Sequence, residues 1–349
     1  MDTVRVNWDE LGWVSALRKL RSQSSDWSGS WVVVHYTALS WSRRGFPLGL
    51  LFVLATLRRR GARCAVLFHE ATRQSGRSRL RDGIRGRIQD WVIRRLFREA
   101  EKAIFTVPLD LIPWLRGDVS KACYIPIGAN IPERTPRSLD GANGGDLKTV
   151  AVFSITPGGN RLLEIADMAL AAERASRSAG KVRFVVLGKG SAEARAEIEA
   201  ALRDKGAEVS VPGILPAEKV ADSLAGADVL LYLTGWVAQN RGSVLAGVAC
   251  GLPIVGYAGG PREPIHDAGV QLVPYRDREA LADALVRVLN DATLRAELRR
   301  KSVAAQQRHF SWASIASRYA SAFDLSERVA SGMPTSAAQA DEQLRSRRE

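Results

Sequence analysis

One pattern constrains this chain more than any other. Short, continuous apolar runs alternate with helical stretches almost from end to end. WVVVH (Trp31–His35), CAVLF (Cys64–Phe68), KAIFTV (Lys102–Val107) and Ala122–Ile125 form a first series. Thr149–Phe153, Arg183–Leu187, Glu208–Val211, Val229–Leu233, Pro253–Val255 and Gln271–Val273 form a second. Unbroken apolar runs of this length are what strands covered on both faces require. Between them lie helical stretches. Pro47–Arg60 opens on a proline, whose missing N–H is harmless in a first turn. In Arg79–Arg98, Ile84, Ile88, Trp91, Val92 and Leu96 recur at helical spacing, and in Asp277–Asn290 Leu281, Leu285, Val288 and Leu289 share a face. Strand–helix alternation predicts parallel sheets with helices on both sides, an α/β fold.

At 349 residues the chain exceeds what one core holds. The alternation lapses over residues 132–148, where Pro132-Glu-Arg-Thr-Pro136 and Gly141-Ala-Asn-Gly-Gly145 are turn and linker chemistry. We therefore expect one Rossmann-like domain over 1–145 and another over 146–325. The polar residues 326–349 read as a disordered tail.

Charge and cysteine usage narrow the classes. The net charge is +13, and from Arg58 to Lys102 fourteen Lys or Arg face five Asp or Glu. Such a segment suits a solvated face or an anionic membrane surface. Nucleic acid is not an expected partner, because the arginines are not interleaved with aromatic residues for stacking. Cys64, Cys123 and Cys250 match neither a disulfide framework nor a zinc spacing, which points to a reducing compartment. No secretory leader is visible, and the apolar stretch Leu48–Leu57 is about half of what a bilayer needs. A cytoplasmic protein is the expectation, with Arg79–Arg98 the segment that would make it peripheral at the inner face of the cell membrane.

Ligands of parallel sheets collect at the carboxyl ends of the strands, so candidate site residues are sought there. Gly188-Lys189-Gly190 follows a strand and opens a helix, where backbone approaches a ligand and the helix N-terminus favours an anion. Asn240-Arg241-Gly242-Ser243 opens another helix and adds a fixed positive charge and a hydroxyl able to cap, a cradle for a diphosphate. Gly259-Gly260-Pro261-Arg262-Glu263 turns after the next strand. In the first half His35 and His69-Glu70 end successive strands. No P-loop, zinc-protease motif, nucleophile elbow or clustered acidic pair for a metal is present. We expect no metal and no cofactor.

Taken in order, these pieces resemble the retaining glycosyltransferase family 4. Leu245-Ala-Gly-Val-Ala-Cys-Gly-Leu-Pro-Ile-Val255 is similar to the family's "LEAMACGxPVV" helix and strand. Val186-Leu-Gly-Lys-Gly190 resembles its Gly-rich turn, Gly259-Gly-Pro-Arg-Glu263 its "GGxxE", and Phe310-Ser-Trp312 its last helix. Phe68-His-Glu70 and Ile125-Pro-Ile-Gly128 resemble pieces of its first half. The resemblance implies a GT-B fold, two Rossmann-like domains with parallel sheets facing across a cleft. It implies a sugar passed from a nucleotide-sugar donor, held by the second domain, to a glycan or lipid-linked acceptor in polysaccharide or glycoconjugate synthesis. The chemistry would be retaining and metal-independent, with positive groups stabilising the leaving diphosphate.

The chain also departs from the family. Two glutamates usual there are Ala238 and Ala246 here, and no Glu occurs between Glu218 and Glu263. Of the family's basic pair after the first strand of this domain, only Arg161 is nearby. The expected grip is therefore Arg241 and Arg161 on the diphosphate, completed by Ser243 and backbone N–H groups. His69 and Arg241 are the candidate catalytic residues. Arg161, Gly188, Lys189, Asn240, Gly242, Ser243, Glu263, His35 and Glu70 are the candidate substrate contacts. The lost glutamates leave open a non-catalytic homologue that binds a partner, and the charge leaves open a basic nucleic-acid-associated α/β protein.

Overall fold

The computed structural model describes residues 8–72, 79–135, 147–261 and 263–324. Each apolar run read as a strand is one, and all of them pair in parallel. The described chain divides into two compact units, 1–125 with 316–349, and 126–315.

Unit 1 begins with α1 (Trp8–Gln23), interrupted at Gly12, and continues with β1 (Trp31–Tyr36), the short α2 (Ala38–Trp41) and α3 (Gly49–Arg59). Then come β2 (Arg63–Phe68), α4 (Arg79–Glu99), β3 (Lys102–Phe105) and β4 (Ala122–Tyr124). The sheet order β1-β2-β3-β4 follows the chain. Its core is aromatic: Phe68 and Phe105 stack at 4.7 Å between buried Tyr36, Leu54 and Leu96. Burial corrects one expectation for α4. The helix buries Gln89, Val92, Ile93 and Leu96, whereas Ile84 is 63% and Trp91 51% exposed. The buried stripe is completed by a glutamine, because the Gln89 amide donates to Gly45 O at 2.9 Å. Ile84 and Trp91 instead share the outer face with Arg87, Arg94 and Arg98.

Unit 2 runs β5 (Leu147–Phe153), α5 (Asn160–Ser178), β6 (Lys181–Leu187), α6 (Arg195–Leu202), β7 (Glu208–Gly213), α7 (Ala217–Ala225) and β8 (Val229–Trp236). It continues with α8 (Gly242–Ala249), β9 (Ile254–Tyr257), β10 (Val270–Val273), α9 (Arg278–Asn290), α10 (Ala292–Ala305) and the start of α11 (Trp312–Ala322). The sheet order is β10-β9-β8-β5-β6-β7. The chain grows outward from β5 in one direction, then returns to its other side with β8. That reversal creates a crevice at the strand ends between β5 and β8. α5 and α9 cover one face through Ile165, Met168, Leu281 and Leu285. α7 and α8, the latter buried from Val244 onward, cover the other. Asp277 and Asp291 cap α9 and α10, accepting from Ala280 N and Leu294 N at 2.9 and 2.8 Å.

The division differs from the boundaries expected at 145 and 325, because the end of α11 belongs with unit 1. There Phe323 sits 4.8 Å from the Trp31 ring, and Arg318 lies over Tyr124. The linker stretch is described only to residue 135, and the polar tail lies outside the described residues. Buried Cys64 and Cys250 behave as small apolar side chains, and burial pushes their thiols up to about 11 and about 12.

Candidate functional site

In unit 1 the parallel register places His35 opposite Leu67, so His69 lies just beyond the end of β2. The two imidazoles meet, with His35 Nδ1 and His69 Nε2 3.1 Å apart. One nitrogen donates and the other accepts, which requires at least one neutral ring. Burial holds both histidines below the ordinary imidazole value. His35 lowers His69 further, and Glu70 opposes that effect. Glu70 accepts the Ala38 backbone N–H at 3.1 Å and so anchors the start of α2, while Trp41 Nε1 donates to His35 O at 2.8 Å. The predicted trio is thus assembled: two histidines face each other and the carboxylate steadies the loop beside them.

In unit 2 the Gly188–Gly190 turn is held by backbone. Ile155 N donates to Lys189 O at 2.9 Å, and Gly188 N to Gly213 O at 2.8 Å. Gly188 and Gly190 have φ of +88° and +81°, and a Cβ on Gly190 would stand 2.1 Å from Ile155 O. Packing against the β5 end therefore demands these glycines whatever else the turn does. Lys189 is exposed there.

The head of α8 is less complete. Arg241, not Ser243, is the N-cap. The N-cap side chain makes no capping hydrogen bond, and the Arg241 carbonyl accepts from Leu245 N at 3.0 Å. The Arg241 guanidinium lies 5.6 Å over the Trp236 ring. Its Nε is shielded from solvent and has no hydrogen-bond partner among the described residues. Asn240 and Gly242 are exposed and Ser243 is half-buried. Glu263 is drawn inward: its carboxylate accepts the Gln239 N–H at 2.6 Å. His266 receives the Glu263 N–H at 3.0 Å, and its Nε2 lies 3.1 Å from Val237 O. Glu263 therefore fixes the segment that aims Arg241. Arg262 lies outside the described residues.

Arg161 is not among the residues that line a cavity with Arg241. Its Nη2 donates to Glu197 Oε1 at 2.8 Å, tying α5 to α6, although its Nε is also unpaired. What does share a site with Arg241 is a cavity of about 490 Å³ at the ends of β5, β8, β9 and β10. Its walls include Thr156, Asn160, Glu164, Asp167, Trp236 and Tyr275. None of these stood out in the sequence. The available signal was Glu164 and Asp167, an acidic pair one turn apart in a helix otherwise rich in Ala and Leu. One cavity-lining residue, Arg276, is left-handed (φ 65°), and no sequence signal marks it. Among the described residues no group of His, Cys, Asp and Glu could hold a metal ion.

With this geometry in view, the comparisons are direct. Residues 160–291 match the family model "Glycosyl transferases group 1". That stretch runs from the first turn of α5 to the end of α9 and contains Arg241 and most of the cavity. Over that stretch unit 2 is similar to the group 1 glycosyltransferases. Among solved structures, a TarM mutant from S. aureus, in complex with fondaparinux, α-GlcNAc-glycerol and UDP, superposes with a TM-score of 0.61 at 14% identity, over 89% of this chain and 58% of TarM. The pneumococcal O-GlcNAc transferase GtfA, in complex with UDP and GlcNAc, gives 0.59 at 13%, over 89% of this chain and 60% of GtfA. The lipopolysaccharide outer core galactosyltransferase WaaB gives 0.55 at 13%, over 90% and 81%. These likenesses establish the fold, GT-B with two Rossmann-like domains. The chain spans under two thirds of the length of TarM and GtfA. No curated protein matches it by sequence.

Proposed function

We propose that this chain is a glycosyltransferase whose unit 2 holds a nucleotide-sugar donor and whose unit 1 serves a glycan or lipid-linked acceptor. The observation that carries the reading is Arg241. A guanidinium nitrogen without a partner stands at an uncapped helix N-terminus, inside the matched domain and on the wall of a cavity. An anion at that place gains the helix dipole, free N–H groups and a charge-assisted hydrogen bond. A donor diphosphate meets each of these, and Gly242 and Ser243 N–H groups complete the grip.

In this reading the reaction is retaining and needs neither metal nor cofactor. The bond between the sugar C1 and the donor phosphate oxygen breaks, and C1 bonds to the acceptor oxygen on the same face. The acceptor proton passes to the leaving phosphate, whose charge Arg241 offsets. His69, with Nε2 engaged by His35, keeps Nδ1 for a substrate hydroxyl. The exposed face of α4, with Ile84 and Trp91 among Arg87, Arg94 and Arg98, supports docking on an anionic membrane at the cytoplasmic side. No helix among the described residues is long and apolar enough to cross a membrane. Nucleic acid has no part in the scheme.

Incubation with a panel of UDP-, GDP- and dTDP-sugars, read as nucleotide release and product mass, tests the reading. Release from one donor sustains it, and inertness toward every donor and acceptor overturns it. A rival reading, a non-catalytic homologue that binds a partner, is favoured by Ala238 and Ala246. It predicts nucleotide binding without turnover.

A further inference from the structure

α1, α3 and α4 form one layer of unit 1. Leu20, Leu54 and Leu96, one from each helix, share a core with Val34, Tyr36, Val66 and Phe68. The strand register puts those four residues on one face of the sheet. The helices are also seated on one another. A Cβ on Gly49 of α3 would stand 1.8 Å from the Trp13 ring of α1. Arg58 of α3 pairs with Glu99 of α4. Each helix therefore turns its other face away from the sheet, and each carries an apolar side chain there. Val14 of α1 is 64% exposed and Phe52 of α3 62%, and Ile84 and Trp91 of α4 are exposed as well. Exposed arginines accompany them: Arg18 one turn after Val14, Arg59 two turns after Phe52, and Arg87 and Arg94 on either side of Trp91. Residues 27–69 hold six Arg and no Asp or Glu.

We propose that this three-helix layer, and not α4 alone, is the face that docks on an anionic bilayer. Phe52 and Val14 enter the boundary between headgroups and acyl chains together with Ile84 and Trp91. The inference rests on the membrane docking read above from α4 and extends it to two further helices. Charge selects the occupant. Interfaces between proteins exclude charge from their centre, whereas here arginines are interspersed with the apolar side chains. A lipid headgroup region accepts both, because apolar side chains enter the acyl boundary while guanidinium groups stay at the lipid phosphates. A second copy would set the same arginines against one another, on a chain of net charge +13. Attachment grows with the apolar area inserted and with each arginine near the surface. Three helices therefore hold what one helix with two apolar side chains holds weakly.

Co-sedimentation of the full chain with phosphatidylcholine vesicles, with and without phosphatidylglycerol, tests the proposal. The wild type is expected to bind the anionic vesicles only. It should keep part of that binding in about 1 M salt, where charge is screened within about 3 Å. Phe52→Ser is expected to weaken binding about tenfold and Val14→Ser about threefold. Both side chains are exposed, so the melting temperature should not fall. Val14→Ser, on a separate helix, carries the same test should Phe52→Ser fail to fold. Unaltered binding in both variants, with loss confined to Ile84→Ser and Trp91→Ser, overturns the three-helix face and leaves the α4 reading standing. Binding abolished by salt overturns insertion. A dimer in light scattering that Phe52→Ser dissociates overturns the bilayer in favour of a second copy. Absence of binding to either vesicle removes membrane docking altogether. Nucleotide release from a soluble donor is expected to be unchanged in both variants, so the donor reading stands or falls by its own assay.

Discussion

The two units present polar groups at the same place, the carboxyl ends of their parallel strands, and finish them differently. In unit 1 the groups satisfy one another: His35 pairs with His69, and Glu70 anchors a backbone N–H. In unit 2 the Arg241 Nε is buried without a partner, at a helix head that no side chain caps. A self-satisfied cluster is rigid before any ligand arrives. An unmatched buried donor is destabilising by about 1–3 kcal/mol and stays that way until a ligand accepts from it. The difference teaches that unit 1 fixes its strand-end polar groups against one another, whereas unit 2 leaves one of its own unmatched.

The largest expected effect tests that incompleteness. Arg241→Ala should weaken nucleoside-diphosphate binding by about 1.5–3 kcal/mol, the scale of hydrogen bonds to charged groups. It should leave the melting temperature unchanged or raised, since an unmatched donor is removed. Unchanged affinity by calorimetry takes Arg241 out of the site and ends the contrast. Glu263→Ala should lower unfolding stability by about 1.5 kcal/mol, because the Gln239 N–H loses a charged acceptor. It should also weaken diphosphate binding by freeing the segment ahead of Arg241. Stability lost in denaturant with full affinity kept would separate the two roles.

His35→Ala should cost about 0.5–1.5 kcal/mol of stability, one neutral hydrogen bond, and should lower transfer activity if His69 must be held in place. The pair also has a pH signature. Both histidines are held below the ordinary value of 6.5 when folded, so the unfolded chain binds more protons. Their contribution is complete above pH 6.5 and is lost as pH falls through the folded values. Urea melts at descending pH should show wild type losing stability below pH 6.5, and His35→Ala losing less. The smallest effect belongs to Arg161→Ala. Its pair with Glu197 is partly exposed and is worth about 0–1 kcal/mol. A loss of diphosphate affinity as large as that of Arg241→Ala would make Arg161 a second anion ligand.

Much of this was legible in the residues. Parallel strands announced themselves because burial on both faces leaves no polar alternation to read. The strand-end histidines and the Arg241 segment are legible because ligands of parallel sheets collect at the carboxyl ends of the strands. The outer face of α4 was misread because Gln89, a polar residue, completes the buried stripe through one hydrogen bond. Hydrophobic periodicity cannot register that.

By itself, then, the sequence determined the α/β class, the run of strands and the short list of polar groups at their ends. Those follow from local period and turn chemistry, which neighbours along the chain decide. Tertiary structure alone decided which of those groups are matched. Arg161 meets Glu197 and Glu263 meets Gln239, while Arg241 Nε meets no acceptor among the described residues and Arg241 lines one cavity with Glu164, Asp167, Trp236 and Tyr275. Arg241 and the α5 carboxylates, far apart in sequence, are brought to one cavity by the return of the chain across β5. That crossover is a property of packing, and no local pattern encodes it.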